Sequence, residues 1–220
     1  MALKQKRTLE LFKHRFGFEW LAFFFLILQF FVLLGNLPSP RYDVFFWFCN
    51  HTPLIFALAF AFRKINLIKG LICVGFLPQF IWTLDFLLRL FFDYNFFRIT
   101  AYVFENSLGY WVLLPIGIHM FSTNLALLAT YKFPTENKVL TKAALYIALL
   151  YVTTIILTLP ERNVNWLQGI GKEGFLISFT GYQLVWPFFV FFVLVLPTYF
   201  FQKYLYEHYE QNKLKKRTKN

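Results

Sequence analysis

Six stretches of about twenty residues, nearly free of charge, recur along this chain, and nothing else in it limits the possible folds so strongly. They run over about 17–36, 43–62, 67–91, 107–130, 139–159 and 179–201. Roughly twenty apolar residues in a helix match the ~30 Å hydrocarbon core of a bilayer. Within lipid a chain must satisfy its own backbone polar groups, which selects helices for runs of this kind. The expected fold is therefore all-α: a polytopic membrane protein with six transmembrane helices in one bundle, a single domain over residues 1–220. Charged residues are 15% of the chain, against about a quarter in a soluble domain. A basic start before an apolar run resembles a signal peptide, but this run is too long and lacks a small-x-small cleavage site. It reads as a retained helix.

A net charge of +11 would suggest nucleic acid in a soluble chain. Here it reports topology. Seventeen of the 22 Lys and Arg fall on one side of six spans: the basic N-tail 1–16, the two even-numbered turns and the basic C-tail 202–220. Four fall on the other, which includes the external loop 160–178. The positive-inside rule then places both termini in the cytoplasm. The partners expected are membrane lipids, with anionic headgroups at the basic tails, and no nucleic acid.

Polar residues inside such runs are costly and face protein or water. The second run holds Phe48-Cys49-Asn50-His51-Thr52-Pro53. The third carries Trp82, Thr83, Asp85 and Arg89, and the fourth carries His119 with Ser122 and Thr123. The predicted topology puts Asn50, His51, Asp85 and Arg89 in the outer half and His119 near the midplane. Polar groups from three helices and the external loop are thus expected to converge at one level, opening outward.

Each group has a structural and a chemical reading. Asp85 and Arg89 stand at i and i+4, the favoured ion-pair arrangement on a helix; they brace the bundle or they serve a site. Cys49 is a small buried apolar residue or a nucleophile. Pro53 cannot donate to the Cys49 carbonyl, so a kink is expected, with Asn50 or Thr52 satisfying the loosened backbone. His119 forms a helix–helix hydrogen bond or acts as a base. In the external loop, Asn163, Asn165 and Trp166 form a lid over the pocket or an interfacial turn anchored by the Trp. Gly169-Ile170-Gly171-Lys172-Glu173-Gly174 matches the dinucleotide fingerprint by letter but follows no strand. No GxSxG, CxxC or HExxH occurs, the His spacing gives no metal set, and no cofactor is implied. Cys49 and Cys73 fall in opposite leaflets, beyond bridging distance.

Placed together, these residues resemble a known pattern. Cys49 and His51, Trp82 and Asp85, His119 and Asn163-Val164-Asn165-Trp166 are similar to small bacterial six-helix membrane proteins. More remotely they resemble the TMEM164/YwaF integral-membrane acyltransferase family. That family places a cysteine in an early helix and a histidine in a later one, although its early helix reads His-x-Cys where His51 here follows Cys49. The resemblance implies a bacterial cytoplasmic membrane and chemistry on lipid acyl groups. His119 would be the base, Cys49 the nucleophile (Thr83 by looser analogy), and Asp85 or His51 an orienting partner. Asn50, Trp82, Arg89, Asn163, Asn165 and Trp166 would line the substrate site. The competing class is non-enzymatic: a small carrier, an accessory subunit or a lipid-binding scaffold using the same outward pocket.

Overall fold

The computed structural model describes residues 2–37, 42–94, 96–105, 113–169 and 179–217. Among these the chain is helical, without strands. Helix α1 is Ala2–Asn36, α2 Phe48–Ala61 and α3 Ile65–Phe92, and α4 is the short Ala101–Glu105. Helix α5 joins Leu113–Ile116 and Ser122–Thr130 through a π turn at Gly117–Phe121. Helix α6 is Lys138–Leu157. Helix α7 joins Tyr182–Phe189 and Leu196–Arg217 through a π turn at Val190–Val195. Both π turns follow a proline, Pro115 and Pro187; a proline lacks the N–H and crowds the preceding turn, and an extra residue relieves the mismatch.

Four segments are long and apolar enough to cross a bilayer: Gly17–Asn36, Ile65–Phe92, Lys138–Leu157 and Tyr182–Lys216. The apolar helices Phe48–Ala61 and Leu114–Thr130 are shorter. Helix α3 is the centre, touching α2, α5, α6 and α7. Its glycines allow this. A Cβ on Gly70 would lie 3.0 Å from Lys142 Cβ and 3.1 Å from the Ala143 nitrogen of α6. One on Gly75 would meet the Phe48 ring at 2.5 Å and Thr123 Cγ2 at 3.1 Å. Small residues let backbones approach where lipid provides no hydrophobic drive between helices. The core is aromatic: Phe25 stacks on Phe60 at 5.6 Å and lies 5.1 Å from Phe56, sealing α1 to α2.

Three expected boundaries move. The second run is interrupted: Tyr42–Phe46 is a 3-10 turn, Trp47 is extended, and α2 begins only at Phe48. The basic tails are helical, α1 from Ala2 and α7 through Arg217, because Lys, Glu, Gln and Leu extend a helix already nucleated in an apolar run. Of the loop 160–178, expected to be external, 160–169 is described, with two 3-10 turns. Residues 38–40 of the first turn, 107–112 of the fourth run and 170–174 of the glycine motif lie outside the described residues.

The bundle has two distinct ends. At the basic end Arg63 pairs with Glu19 at 3.4 Å and Asn66 donates to Glu136 at 3.1 Å. Lys69 is fully buried there, donating to the Phe133 carbonyl at 2.7 Å and Thr135 Oγ1 at 2.8 Å. The opposite end carries the start of α2, the turns after α6, and the segment after α3.

Candidate functional site

Asn165 is the hinge pin of the second end. Its backbone is left-handed (φ 55°, ψ 22°), a conformation that Asn tolerates better than most residues. Its Oδ1 accepts the first N–H of α2, from Phe48, at 2.7 Å, and its Nδ2 donates to the Phe46 carbonyl at 2.8 Å and Thr154 Oγ1 at 3.0 Å. Its own carbonyl accepts the Trp186 indole N–H at 3.1 Å. One side chain thus caps α2, bridges the break at Trp47 and ties in α6, while the backbone carbonyl of the same residue ties in α7. Asn163 closes its own turn, accepting from Gln168 N and donating to the Gly169 carbonyl, both at 2.8 Å. Trp166 is half-buried and left-handed (φ 56°). The indole that fastens the loop to the helices is Trp186, stacked 6.1 Å from Tyr151. Beside the loop a shallow pocket is walled by Thr154, Thr158, Asn163, Gln168 and Gln183.

One turn into α2, His51 Nδ1 lies 3.2 Å from the Phe45 carbonyl and Nε2 lies 2.5 Å from the Tyr146 hydroxyl of α6. A carbonyl only accepts, so in the neutral ring Nδ1 holds the hydrogen and Nε2 accepts from the Tyr146 O–H. Phe48 packs against both rings, at 6.4 Å and 5.8 Å. Cys49 makes no hydrogen bond to a histidine among the described residues. Its thiol donates to Asn50 Oδ1 at 3.7 Å, and Asn50 Nδ2 donates to the Val44 carbonyl at 2.7 Å. Thr52 Oγ1 returns to the Phe48 carbonyl. The ladder beside Pro53 is mended from outside the helix: Gln29 of α1 donates Nε2 to the Asn50 carbonyl and accepts the Leu54 N–H, both at 3.0 Å.

The expected Asp85–Arg89 pair does not form. Asp85 is fully buried and accepts from Phe97 N (2.7 Å), Ile99 N (3.2 Å), Thr100 N (3.0 Å) and Thr100 Oγ1 (2.7 Å). A carboxylate satisfies several converging N–H groups where water is scarce. It folds the segment after α3 back onto the helix. Arg89 turns the other way, 3.0 Å from Asp93 and over the Phe104 ring.

His119 sits in the π turn of α5 and lies flat on Trp82, centroids 4.3 Å apart at 16°. The Trp82 indole N–H reaches the Tyr102 hydroxyl at 3.3 Å. The π turn frees Thr123 N–H, which Gln79 Oε1 accepts at 3.3 Å, along with Thr123 Oγ1 at 2.7 Å. Thr83 Oγ1 donates to the Gln79 carbonyl at 2.8 Å and lies 3.5 Å from the His119 carbonyl. His119 Nδ1 and Gln79 Nε2 are both buried with no partner among the described residues. They lie on facing helices about one turn apart, Gln79 opposite Thr123 and His119 opposite Trp82 and Thr83, and so leave hydrogen-bonding capacity inside the bundle.

The structure therefore separates the sequence-selected residues into two groups. Asn50, His51 and Asn165 belong to one network; Trp82 and His119 belong to the other, with Asp85 alongside. Sequence reading missed Tyr146, Gln29 and Gln79. The glutamines were visible as amides inside apolar runs, whereas Tyr146 is one of two tyrosines in a mostly aliphatic helix and carried no signal of its own. Among the described residues no group of three His, Cys, Asp or Glu is placed to hold a metal. No protein-family model, curated protein or solved structure matches the chain.

Proposed function

We propose that this chain is a six-span protein of the bacterial cytoplasmic membrane, both termini cytoplasmic, and that its outer half binds a membrane lipid as a non-enzymatic scaffold. The topology is supported by apolar helices at each expected span, four of them long, and by basic residues gathered at one end. The binding reading rests on one observation: His119 Nδ1, on the ring stacked over Trp82, and Gln79 Nε2 on the facing helix are buried with no partner among the described residues. Leaving such groups unsatisfied costs about 1–3 kcal/mol each. An amide donor beside an imidazole suits the ester or hydroxyl groups where lipid headgroups join their chains. Native mass spectrometry of the full chain from mild detergent tests this. Wild type is expected to retain lipid that His119→Ala and Gln79→Leu release; wild-type protein free of lipid would sink the reading.

A second reading, acyl chemistry, is favoured by the His51–Tyr146 contact. A base whose far nitrogen is anchored and whose near nitrogen meets a hydroxyl has the geometry that activates nucleophiles. It moves the nucleophile from Cys49 to Tyr146. Lipid profiles of cells expressing wild type, Tyr146→Phe, His51→Ala and Cys49→Ala at matched levels decide it. Altered lysolipid or acyl composition, lost in the first two variants and kept in Cys49→Ala, is the expected signature. Profiles equal to an empty vector exclude it.

A further inference from the structure

The charge at the basic end is not spread over loose tails. Helix α7 continues unbroken to Arg217, and its extension is docked at one point. Tyr209 meets Tyr131, just past the end of α5, edge-on at 5.7 Å. The Lys132 ammonium lies 5.4 Å from the Tyr131 centroid and 5.7 Å from that of Tyr209. Lys213, one turn further along α7, lies 5.8 Å from the same Tyr209 ring. Two ammonium groups therefore share one aromatic platform.

Among the described residues the carboxylates at this end are already engaged: Glu19 with Arg63, Glu136 with Asn66, Glu207 with Lys203 and Glu210 with Lys213. Lys132 is exposed and has no ion pair among the described residues, and the same holds for Lys64, Lys138 and Lys142. Lys132 and Lys213 converge on the Tyr209 ring and favour a shared anion beyond the Glu210 carboxylate, which pairs with Lys213 and not with Lys132. The approach to the platform is apolar. Leu128 lies one turn before Lys132 on α5 and is 66% exposed; Phe201 and Leu205 lead to Tyr209 along one face of α7. An acyl chain gains by covering exposed apolar side chains of this kind; a hydrated free anion does not.

We propose that Lys132 and Lys213, framed by Tyr131 and Tyr209, bind the phosphate of an anionic phospholipid whose chain lies along Leu128 and Phe201. This site is at the opposite end from His119 and stands whatever the outer half does. The test uses full-length protein in nanodiscs of mixed phosphatidylglycerol and phosphatidylcholine with identical chains, followed by native mass spectrometry of retained lipid. Wild type is expected to enrich phosphatidylglycerol. Each basic residue near a charged membrane surface contributes about a fivefold preference, so Lys132→Gln loses about fivefold and the Lys132→Gln/Lys213→Gln pair roughly thirtyfold. Lys132→Arg, which keeps the charge, retains the preference. Equal retention of the two lipids by wild type overturns the proposal, as does a double variant with wild-type enrichment. Release of the lipid by millimolar inorganic phosphate overturns the lipid assignment in favour of a free-phosphate site.

Discussion

Asp85 and Arg89 show how a residue's role follows from what its side chain reaches. An i,i+4 acid–base pair on a helix invites the ion-pair reading, and both residues are present as that reading requires. Yet Asp85 binds the backbone of 97–100, and Arg89 binds Asp93 at the rim. The two predictions diverge sharply. Asp85→Ala strands three N–H groups and is expected to cost roughly 3 kcal/mol or more. Arg89→Ala breaks a partly exposed pair and should cost under about 1 kcal/mol. Thermal unfolding of both variants in one detergent separates the readings; equal losses would restore the ion pair. Gln29 permits a similar test. Gln29→Leu leaves the Asn50 carbonyl and Leu54 N–H without their partner and should destabilise by about 1–3 kcal/mol. In a Pro53→Ala background α2 can close that bond itself, so the same change should cost clearly less, a non-additivity that a double-mutant cycle detects.

Helices here are broken and repaired as whole elements. Prolines interrupt α2, α5 and α7, and at two of the breaks a glutamine from a neighbouring helix supplies the missing hydrogen bonds: Gln29 at Pro53 and Gln79 at the π turn. Because each amide comes from another helix, the repair fixes the relative height of the two elements. It also holds His119 where its ring meets Trp82. Close approach is the second device. Gly70→Ala presses on the α6 backbone, and overpacking of this kind costs about 1–3 kcal/mol. Gly75→Ala presses on the end of the Phe48 side chain, which can shift, so its thermal loss should be smaller than that of Gly70→Ala. The reverse order would show that the His51–Tyr146–Phe48 cluster is the more rigid of the two contacts.

At the scale of the molecule, α3 is the axis and the two ends differ in chemistry. One end is cationic and stitched by Lys69, Asn66 and Gln202; the other is held by the Asn165 amide and the buried Asp85 carboxylate. The proposed six-span topology makes a direct prediction in a background with Cys49 and Cys73 replaced by alanine. Single cysteines at Lys132 and Lys213 should react with a membrane-impermeant maleimide only after the membrane is opened. A cysteine at Gln168 should react in intact cells. Labelling of Lys132→Cys and Gln168→Cys from the same side would refute an odd number of crossings between them. Asn165→Ala should loosen the second end as a unit, lowering the melting temperature and raising protease cleavage near Trp47.

The membrane class and the helical content were legible in the chain because both depend on one-dimensional quantities. Run length is compared with bilayer thickness, and backbone hydrogen bonding is closed within each run. The sites worth inspecting were legible too, since any amide or imidazole in an apolar run must find a partner. Which partner it finds was not. His51 meets Tyr146 95 residues away, and Asn165 meets Phe48 at a separation of 117. Those pairings depend on how each helix is rotated and how far it slides against its neighbours. Packing of the aromatic and glycine surfaces sets that register, and only the assembled bundle contains it.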